Sequence, residues 1–338
     1  MHPRTWRVSL AALLGAVRVA VLAALLVAAC GPAGSPSAAL PSGPATSCPE
    51  PPPPAQADIP AWSPSAQDPS VFPVIVSSGG SLACGPSRVM FSFLDDQNRP
   101  VAAPDRPASV AFYDLATDPE TPVSEVDGTF VWAIEDAVGI YVATVAFTSA
   151  GLWGAEFTTT GPDGGEERIR IQFDVQPRPL VVAVGDPAPS VDSTTLADVD
   201  GDIARLSTDD EPVERFYETS IADALAAGEP FVLVFATPKF CASAQCGPTL
   251  DRIKPVVADH PDLTVINVEP YELQEVDGQL QPVLSDGQLT LVEAARAWRL
   301  LSEPWVFVVD ADGIVSASFE GILSAAELEA AIVEVAGG

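Results

Sequence analysis

The stretch FVLVFATPKFCASAQCGP, residues 231–248, joins an apolar run to a closely spaced pair of cysteines. Its first six residues are all apolar and rich in valine and phenylalanine, which is typical of a central strand buried on both faces. Cys241 and Cys246 follow with four residues between them, and Gly247 and Pro248 come next. Proline is well tolerated in the first turn of a helix, so we expect a loop that carries Cys241 and a helix that begins near Cys246.

Strand and helix patterns alternate on either side of this stretch. Apolar runs recur in DLTVINVE and in EPWVFVVDADGIVSASFEG, whereas PTLDRIKPVVAD, LVEAARAWRL and SAAELEAAIVEVA have the spacing of amphipathic helices. The last of these begins at Ser324, and Glu327 three residues later predicts a capping box. These patterns predict an α/β domain over residues 184–338, with residues 271–289 inserted as a polar hairpin that could shape the choice of partner.

The spacing of the two cysteines limits where they can lie. Residues five apart on a regular helix are separated by about 7.5 Å along the axis and about 140° around it. A disulfide needs Cα atoms no more than about 7 Å apart, so a bonded pair requires Cys241 in the loop or an unwound first turn. The start of a helix lowers the pKa of a cysteine thiol, and we expect this at Cys246. Lys239, Gly247 and Pro248 are the residues predicted to tune that pKa.

The order of these motifs resembles the thioredoxin family over about 150 residues. GDPAP, residues 185–189, resembles the entry segment of membrane-tethered thioredoxins and peroxiredoxins, and EPWVFVVDADG resembles the strand that carries their cis-proline, here Pro304. The resemblance implies a thioredoxin-like fold and thiol–disulfide exchange, with Cys241 and Cys246 catalytic and Pro304 and Trp305 binding substrate. One departure is the C-x-x-x-x-C spacing, which replaces the C-x-x-C of the family.

Three functions remain open at this point. The first is an enzyme that exchanges thiols and disulfides, in which Cys246 attacks if the helix begins there and Cys241 attacks otherwise. The second is a peroxidase, because TPKFCASAQCG also resembles atypical two-cysteine peroxiredoxins. Those enzymes need a hydroxyl three residues before the first cysteine, and Thr237 lies four before it. The third is a redox-silent binding module with a structural disulfide. We expect the first, with no cofactor and no metal ion.

The first residues have the pattern of a secretory leader. Arg4 and Arg7 precede the apolar run VAVLAALLVAAC, which ends in small residues before Cys30. This ending resembles the bacterial lipobox, which implies that residues 1–29 are a cleaved signal peptide and that Cys30 carries lipid. A plain signal peptide or a membrane anchor is the alternative. We expect a protein held by lipid on the extracytoplasmic face of the cell membrane.

Two further regions separate the leader from the cysteine pair. Residues 30–69 are rich in proline, alanine, serine and glycine, which predicts a disordered tether. Residues 70–180 contain short runs with alternating apolar residues, as in ERIRIQFDV. Seven such runs at regular spacing predict an immunoglobulin-like β-sandwich. The predicted fold class is therefore an all-β immunoglobulin-like sandwich followed by an α/β thioredoxin-like domain.

Charge and cysteine count restrict the partners. The chain has 338 residues and a formal net charge of −30, so it would repel phosphate backbones and we expect no nucleic-acid binding. Of five cysteines, Cys30 is assigned to lipidation, and the spacing pairs Cys241 with Cys246. Cys48 and Cys84 are left, either as a structural disulfide or as two free thiols. The predicted partners are extracytoplasmic protein thiols or disulfides, and the membrane through the lipid anchor.

Overall fold

The computed structural model describes Cys48, Ile59, Trp62 and residues 69–337. These residues belong to one compact unit. The predicted leader, Cys30 and most of the predicted tether lie outside the described residues. Within the described part of the chain, no helix is both long and apolar enough to cross a membrane.

The first half of the described chain is a β-sandwich of eight strands. They are β1 (Phe72–Ile75), β2 (Gly85–Leu94), β3 (Ala108–Asp114), β4 (Ser124–Asp127), β5 (Thr129–Ile134), β6 (Val138–Phe147), β7 (Gly151–Thr160) and β8 (Glu166–Val175). One antiparallel sheet has the order β1-β2-β6-β5 and the other has the order β4-β3-β7-β8. The first order is that of strands A, B, E and D of the immunoglobulin sandwich, and β3, β7 and β8 correspond to strands C, F and G.

Alternating apolar residues explain why the two sheets pack face to face. Phe91 and Phe93 on β2 point into the same core as Phe112 on β3 and Phe157 on β7, and all four side chains are buried. The ring centroids of Phe91 and Phe157 lie 4.9 Å apart, so aromatic contacts join the two sheets directly. The core therefore follows from the period-two pattern of each strand.

The second half contains a four-stranded mixed sheet. Its elements are α1 (Ile221–Ala227), β9 (Phe231–Phe235), α2 (Cys246–Ala258), β10 (Thr264–Val268), β11 (Leu273–Val276), β12 (Gln279–Pro282), β13 (Leu284–Ser285), β14 (Gln288–Leu289), α3 (Glu293–Ala297), β15 (Trp305–Val309), β16 (Val315–Glu320) and α4 (Ala325–Ala336). The sheet has the order β10-β9-β15-β16, with β9 and β10 parallel and the other pairs antiparallel. Strands β11 to β14 form two short hairpins where one was expected.

Strand β9 is central in this sheet because both of its faces are apolar. Val232 and Val234 pack in the cluster that contains residues of α2 and α4. Phe231, Leu233 and Phe235 pack in a second cluster, on the opposite face, with residues of α1 and α3. The apolar run at residues 231–236 therefore forms the middle of the sheet, and the cysteine loop follows directly after it.

The predicted fold class is wrong, because the described chain is mostly β-structure. Its described residues form sixteen strands and four α-helices, and the helices have 7, 13, 5 and 12 residues. The predicted α/β thioredoxin-like class assumes more helix than forms. Leu196–Val199, Ile203–Arg205 and Glu214–Tyr217 are short 3-10 helices, and residues 273–289 are hairpins. The chain that connects the main elements therefore forms turns, 3-10 helices and short β-hairpins.

Ionic contacts join the sandwich to the mixed sheet. Arg88 on β2 pairs with Glu327 on α4 at 2.7 Å, and its Nη2 donates to the carbonyl of Ile322 at 2.8 Å. Arg252 on α2 donates to the carbonyl of Trp132 on β5 at 2.8 Å. Both arginines reach between the two regions, so the sandwich restrains the helix that begins at the second cysteine of the loop.

Candidate redox site

Cys241 and Cys246 form a disulfide directly after the central strand. Their Cα atoms lie 6.0 Å apart. Cys241 lies in the loop that follows β9, and Cys246 is the first residue of α2. Gly247 and Pro248 occupy the rest of the first helical turn, where the missing N–H of proline leaves no hydrogen bond unmade. The helix therefore starts at one sulfur and the loop carries the other.

The two sulfurs differ in exposure and in contacts. The side chain of Cys246 is fully buried, at 0% exposed, whereas Cys241 is partly buried. The backbone N–H of Cys246 donates to Cys241 Sγ at 3.2 Å, and Ser243 Oγ lies 3.4 Å from the same sulfur. Cys241 is therefore the sulfur that solvent reaches, and the first amide of the helix and a hydroxyl face it.

A buried carboxylate just before β15 holds the cysteine loop. Glu303 lies just before β15, and its Oε1 accepts from the N–H of Ala242 at 2.8 Å. Its Oε2 accepts from the hydroxyl of Tyr271 at 2.7 Å, and its backbone carbonyl accepts from Ser243 Oγ at 3.0 Å. Burial, together with the Glu303 carboxylate, raises the pKa of Tyr271, so this phenol stays protonated as a donor. The loop conformation thus depends on residues about 60 positions away.

Sequence reasoning missed Glu303, Tyr271 and Ser243. The available signal was the charge of Glu303 at the start of an otherwise apolar run, directly before a proline. A charged residue is rarely buried unless it is paired, so its place beside a central strand could have indicated a fixed role.

Pro304 and Trp305, predicted to bind substrate, are both buried. The Glu303-Pro304 peptide bond is cis, and the carbonyl of Pro304 accepts from the N–H of Gly321 at 2.9 Å. Trp305 is 2% exposed and donates through Nε1 to Ser318 Oγ at 2.9 Å. It packs in the apolar cluster on the face of the sheet opposite Cys246. The structure therefore places Pro304 next to the residue that holds the loop, and Trp305 in the core.

The remaining predicted tuning residue, Lys239, is exposed on the loop. Its backbone N–H donates to Thr208 Oγ1 at 3.4 Å, and the same hydroxyl lies 3.4 Å from that of Thr237. Thr208 also donates to the carboxylate of Glu269, from both its N–H and its hydroxyl at 2.6 Å. A short chain of polar contacts therefore connects the cysteine loop to a carboxylate at the end of β10.

Glu269 is the second buried carboxylate that sequence reasoning missed. It follows β10 directly and is 7% exposed. Burial raises its pKa to about 7, although hydrogen bonds from Thr208 act in the opposite direction. The signal was the glutamate that ends the apolar run DLTVINVE.

Cys48 and Cys84 form the other disulfide of the described residues, with Cα atoms 5.9 Å apart. Cys84 lies directly before β2, and its N–H donates to the carbonyl of Gln176 at 3.0 Å. The N–H of Cys48 donates to the carbonyl of Pro177 at 3.4 Å. The disulfide therefore attaches Cys48 to the residue before β2, and the hydrogen bond attaches it to the chain just after β8, far along the sequence from the cysteine loop.

Comparisons with known proteins leave the function open. No protein-family model matches the chain, and no curated protein matches it. Among solved structures, one similar protein is a DUF4426 family protein from Pseudomonas aeruginosa PAO1, at 10% identity and a TM-score of 0.22, covering 32% of this chain and 89% of that chain. Another is CopC from Methylosinus trichosporium OB3b, at 16% identity and a TM-score of 0.22, covering 31% of this chain and 94% of that chain.

Proposed function

We propose that the chain exchanges thiols and disulfides with protein partners outside the cytoplasm, through Cys241 and Cys246. One observation carries the proposal: a partly exposed sulfur is bonded to a fully buried sulfur at the first residue of a 13-residue helix. A structural disulfide has no need of this asymmetry, whereas exchange needs one sulfur that a partner can reach and a second that resolves the intermediate.

The chemistry begins at the exposed sulfur. A partner thiolate attacks Cys241 Sγ, a new partner–Cys241 bond forms, and the Cys241–Cys246 bond breaks with its electron pair on Cys246. The second thiol of the partner, as a thiolate, then attacks the partner sulfur of this mixed disulfide. Cys241 leaves with the electron pair, the partner becomes a disulfide by losing two electrons, and the two cysteines take up two protons as thiols. The reverse sequence reduces a partner disulfide, with Cys241 as the attacking thiolate and Cys246 as the resolving one.

Local electrostatics favour both thiolates. Cys246 lies at the positive end of the α2 dipole, which favours a negative sulfur there when the bond opens. The N–H of Cys246 and the hydroxyl of Ser243 face Cys241 Sγ and favour its thiolate in the same way. These contacts support Cys241 as the residue that meets the partner, which the sequence left undecided.

The extracytoplasmic location is part of the proposal. The two disulfides support it, because disulfides persist mainly in oxidising compartments. The lipobox-like segment supports attachment through lipid on Cys30, with the proline-rich residues as a spacer. The membrane would then be a partner through the anchor only, and protein thiols or disulfides would be the substrates.

A trapping experiment with matched cysteine variants tests the exchange. The purified full chain is incubated with a peptide that carries an internal disulfide, the reaction is quenched with acid, and mass spectrometry identifies the adducts. The variant Cys246→Ser should accumulate a stable mixed disulfide on Cys241, because no second thiol resolves it. The variant Cys241→Ser should react at least about tenfold more slowly, because its remaining thiol is buried.

A control and a counter-result complete the test. The same peptide in its dithiol form tests the opening of the Cys241–Cys246 bond. The double variant Cys48→Ser/Cys84→Ser removes a disulfide elsewhere in the chain and should exchange with this reduced peptide as fast as wild type does. Equal adduct formation on both single variants would contradict the assigned roles. A wild-type pair that the reduced peptide never opens would contradict the function itself and would leave a structural disulfide.

A further inference from the structure

A cavity of about 580 Å³ lies at the end of β10, and the exchange chemistry does not use it. The residues that line it come from distant parts of the chain, among them Asp192, Arg205, Asn267, Glu269, Glu272 and Glu293. Two of these, Asn267 and Glu269, are almost completely buried polar side chains on one strand and its extension. Both have an oxygen that lacks a hydrogen-bond partner among the described residues.

The amide nitrogen of Asn267 is hydrogen-bonded away from the unmatched oxygen. Its Nδ2 donates to the hydroxyl of Tyr217 at 2.9 Å, and that hydroxyl lies 2.7 Å from Ser207 Oγ. In this orientation the amide nitrogen is held by the Tyr217 hydroxyl, and the amide oxygen is the end left without a partner among the described residues. Its Oδ1 remains as an acceptor with no donor, although the side chain is only 2% exposed.

Glu269 also has one polar atom with hydrogen-bond partners and one without. Its Oε1 accepts from both the N–H and the hydroxyl of Thr208 at 2.6 Å, which fixes the carboxylate plane. Its Oε2 is buried and has no partner among the described residues. Since buried polar groups in folded proteins nearly always have a hydrogen-bond partner, two unmatched acceptors lining one cavity indicate a missing donor.

The charge of the lining indicates which donor fits. The acidic lining residues are Asp192, Asp198, Glu269, Glu272 and Glu293, and Arg205 is the basic one. The guanidinium of Arg205 already lies 3.9 Å from Asp200 and 3.7 Å from Glu275, so carboxylates outside the lining share its charge. Glu272 in turn lies 3.9 Å from Arg296, which is outside the lining, so four further acidic residues of the lining stand against Arg205. The cavity therefore favours a cation that donates hydrogen bonds over a neutral or anionic molecule.

Apolar residues complete the lining. They are Leu206, Val268, Leu273, Val283 and Val292. They suit an alkyl chain next to the charged group, and a volume of about 580 Å³ is large enough for a small organic molecule. We propose that this cavity binds a small aliphatic amine in its ammonium form, with N–H groups donated to Asn267 Oδ1 and Glu269 Oε2.

The binding is tested with a pair of probes of similar size. The purified full chain is titrated in a calorimeter at pH 8, where Glu269 is ionised, with 1,4-diaminobutane and, separately, with the neutral 1,4-butanediol. The diamine should bind saturably at one site and the diol should not bind at the same concentrations. The variant Glu269→Gln should weaken diamine binding by about tenfold or more, since it removes the charged acceptor. Glu293→Gln at the exposed edge of the cavity should weaken it by less.

The strongly acidic chain requires a charge-matched control. Glu125→Gln removes one negative charge from an exposed position on β4 of the sandwich and should leave the affinity unchanged. Equal weakening by Glu125→Gln and Glu269→Gln would mean that the diamine binds the acidic surface as a whole, and would overturn the proposal. Absence of saturable binding to wild type would overturn it too. If Glu269→Gln does not fold, Glu293→Gln and Glu125→Gln decide the question between them. No cysteine takes part, so failure here leaves the exchange proposal standing.

Discussion

The buried carboxylate of Glu269 makes the stability of the protein depend on pH in a direction that one substitution can isolate. Burial raises its pKa from 4.5 to about 7. Between these two values the folded chain keeps a proton that the unfolded chain has released, so a rise in pH favours unfolding. The contribution of the protonated side chain is complete below pH 4.5 and is lost as pH rises to about 7. A difference of about 2.5 pH units corresponds to about 3 kcal/mol.

The comparison that isolates this effect uses Glu269→Gln, whose neutral side chain does not titrate. Urea unfolding of wild type and variant is followed at pH 4 and at pH 8, and the difference between their free energies of unfolding is taken at each pH. From pH 4 to pH 8 this difference should move by about 3 kcal/mol in favour of the variant. Every other titrating group is common to both chains. Parallel pH profiles of wild type and variant would refute the buried, raised-pKa carboxylate.

Three further substitutions have expected outcomes. Glu303→Ala should lower the free energy of unfolding by about 2–3 kcal/mol in urea titrations and slow peptide exchange, because Ala242 in the cysteine loop and Tyr271 each lose a hydrogen bond to the carboxylate. Arg88→Met should lower it by about 3 kcal/mol, because Glu327 stays largely buried without its cation. The Cys48–Cys84 disulfide joins residues that are 36 positions apart in the sequence. Its reduction or replacement should lower the thermal midpoint and lower the free energy of unfolding by about 4 kcal/mol. Unchanged unfolding curves would contradict each in turn.

Local sequence patterns predicted those features that depend on neighbouring residues. The apolar run at residues 231–236 predicts a central strand, and β9 is buried at all five of its positions. The capping box predicted from Ser324 and Glu327 is present at the start of α4. The helix expected near Cys246 begins at that residue, because a loop residue before it and a proline after it satisfy the first turn. Each of these features is determined within a few residues of chain.

Features that depend on contacts between distant residues were not predictable in this way. Glu303 reaches Ala242, which lies 61 residues earlier, and only the register of β15 against β9 brings the two together. The helix predicted for LVEAARAWRL, residues 291–300, is longer than the element that forms, because α3 covers only Glu293–Ala297. Residues 196–217, for which the sequence predicted no element, form short 3-10 helices with side-chain caps such as Asp202. Sequence periodicity does not distinguish these short elements from α-helices.

The central claim, that the Cys241–Cys246 bond opens and closes with partners, is tested most directly by an equilibrium redox titration of the full chain in glutathione buffers. Mass spectrometry after alkylation reads each cysteine pair separately, so the Cys48–Cys84 bond serves as an internal reference. We predict reversible opening of the Cys241–Cys246 pair at a potential above about −300 mV, while Cys48 and Cys84 stay bonded. Resistance of the Cys241–Cys246 bond at all potentials that leave Cys48–Cys84 intact would contradict an exchange function for this pair.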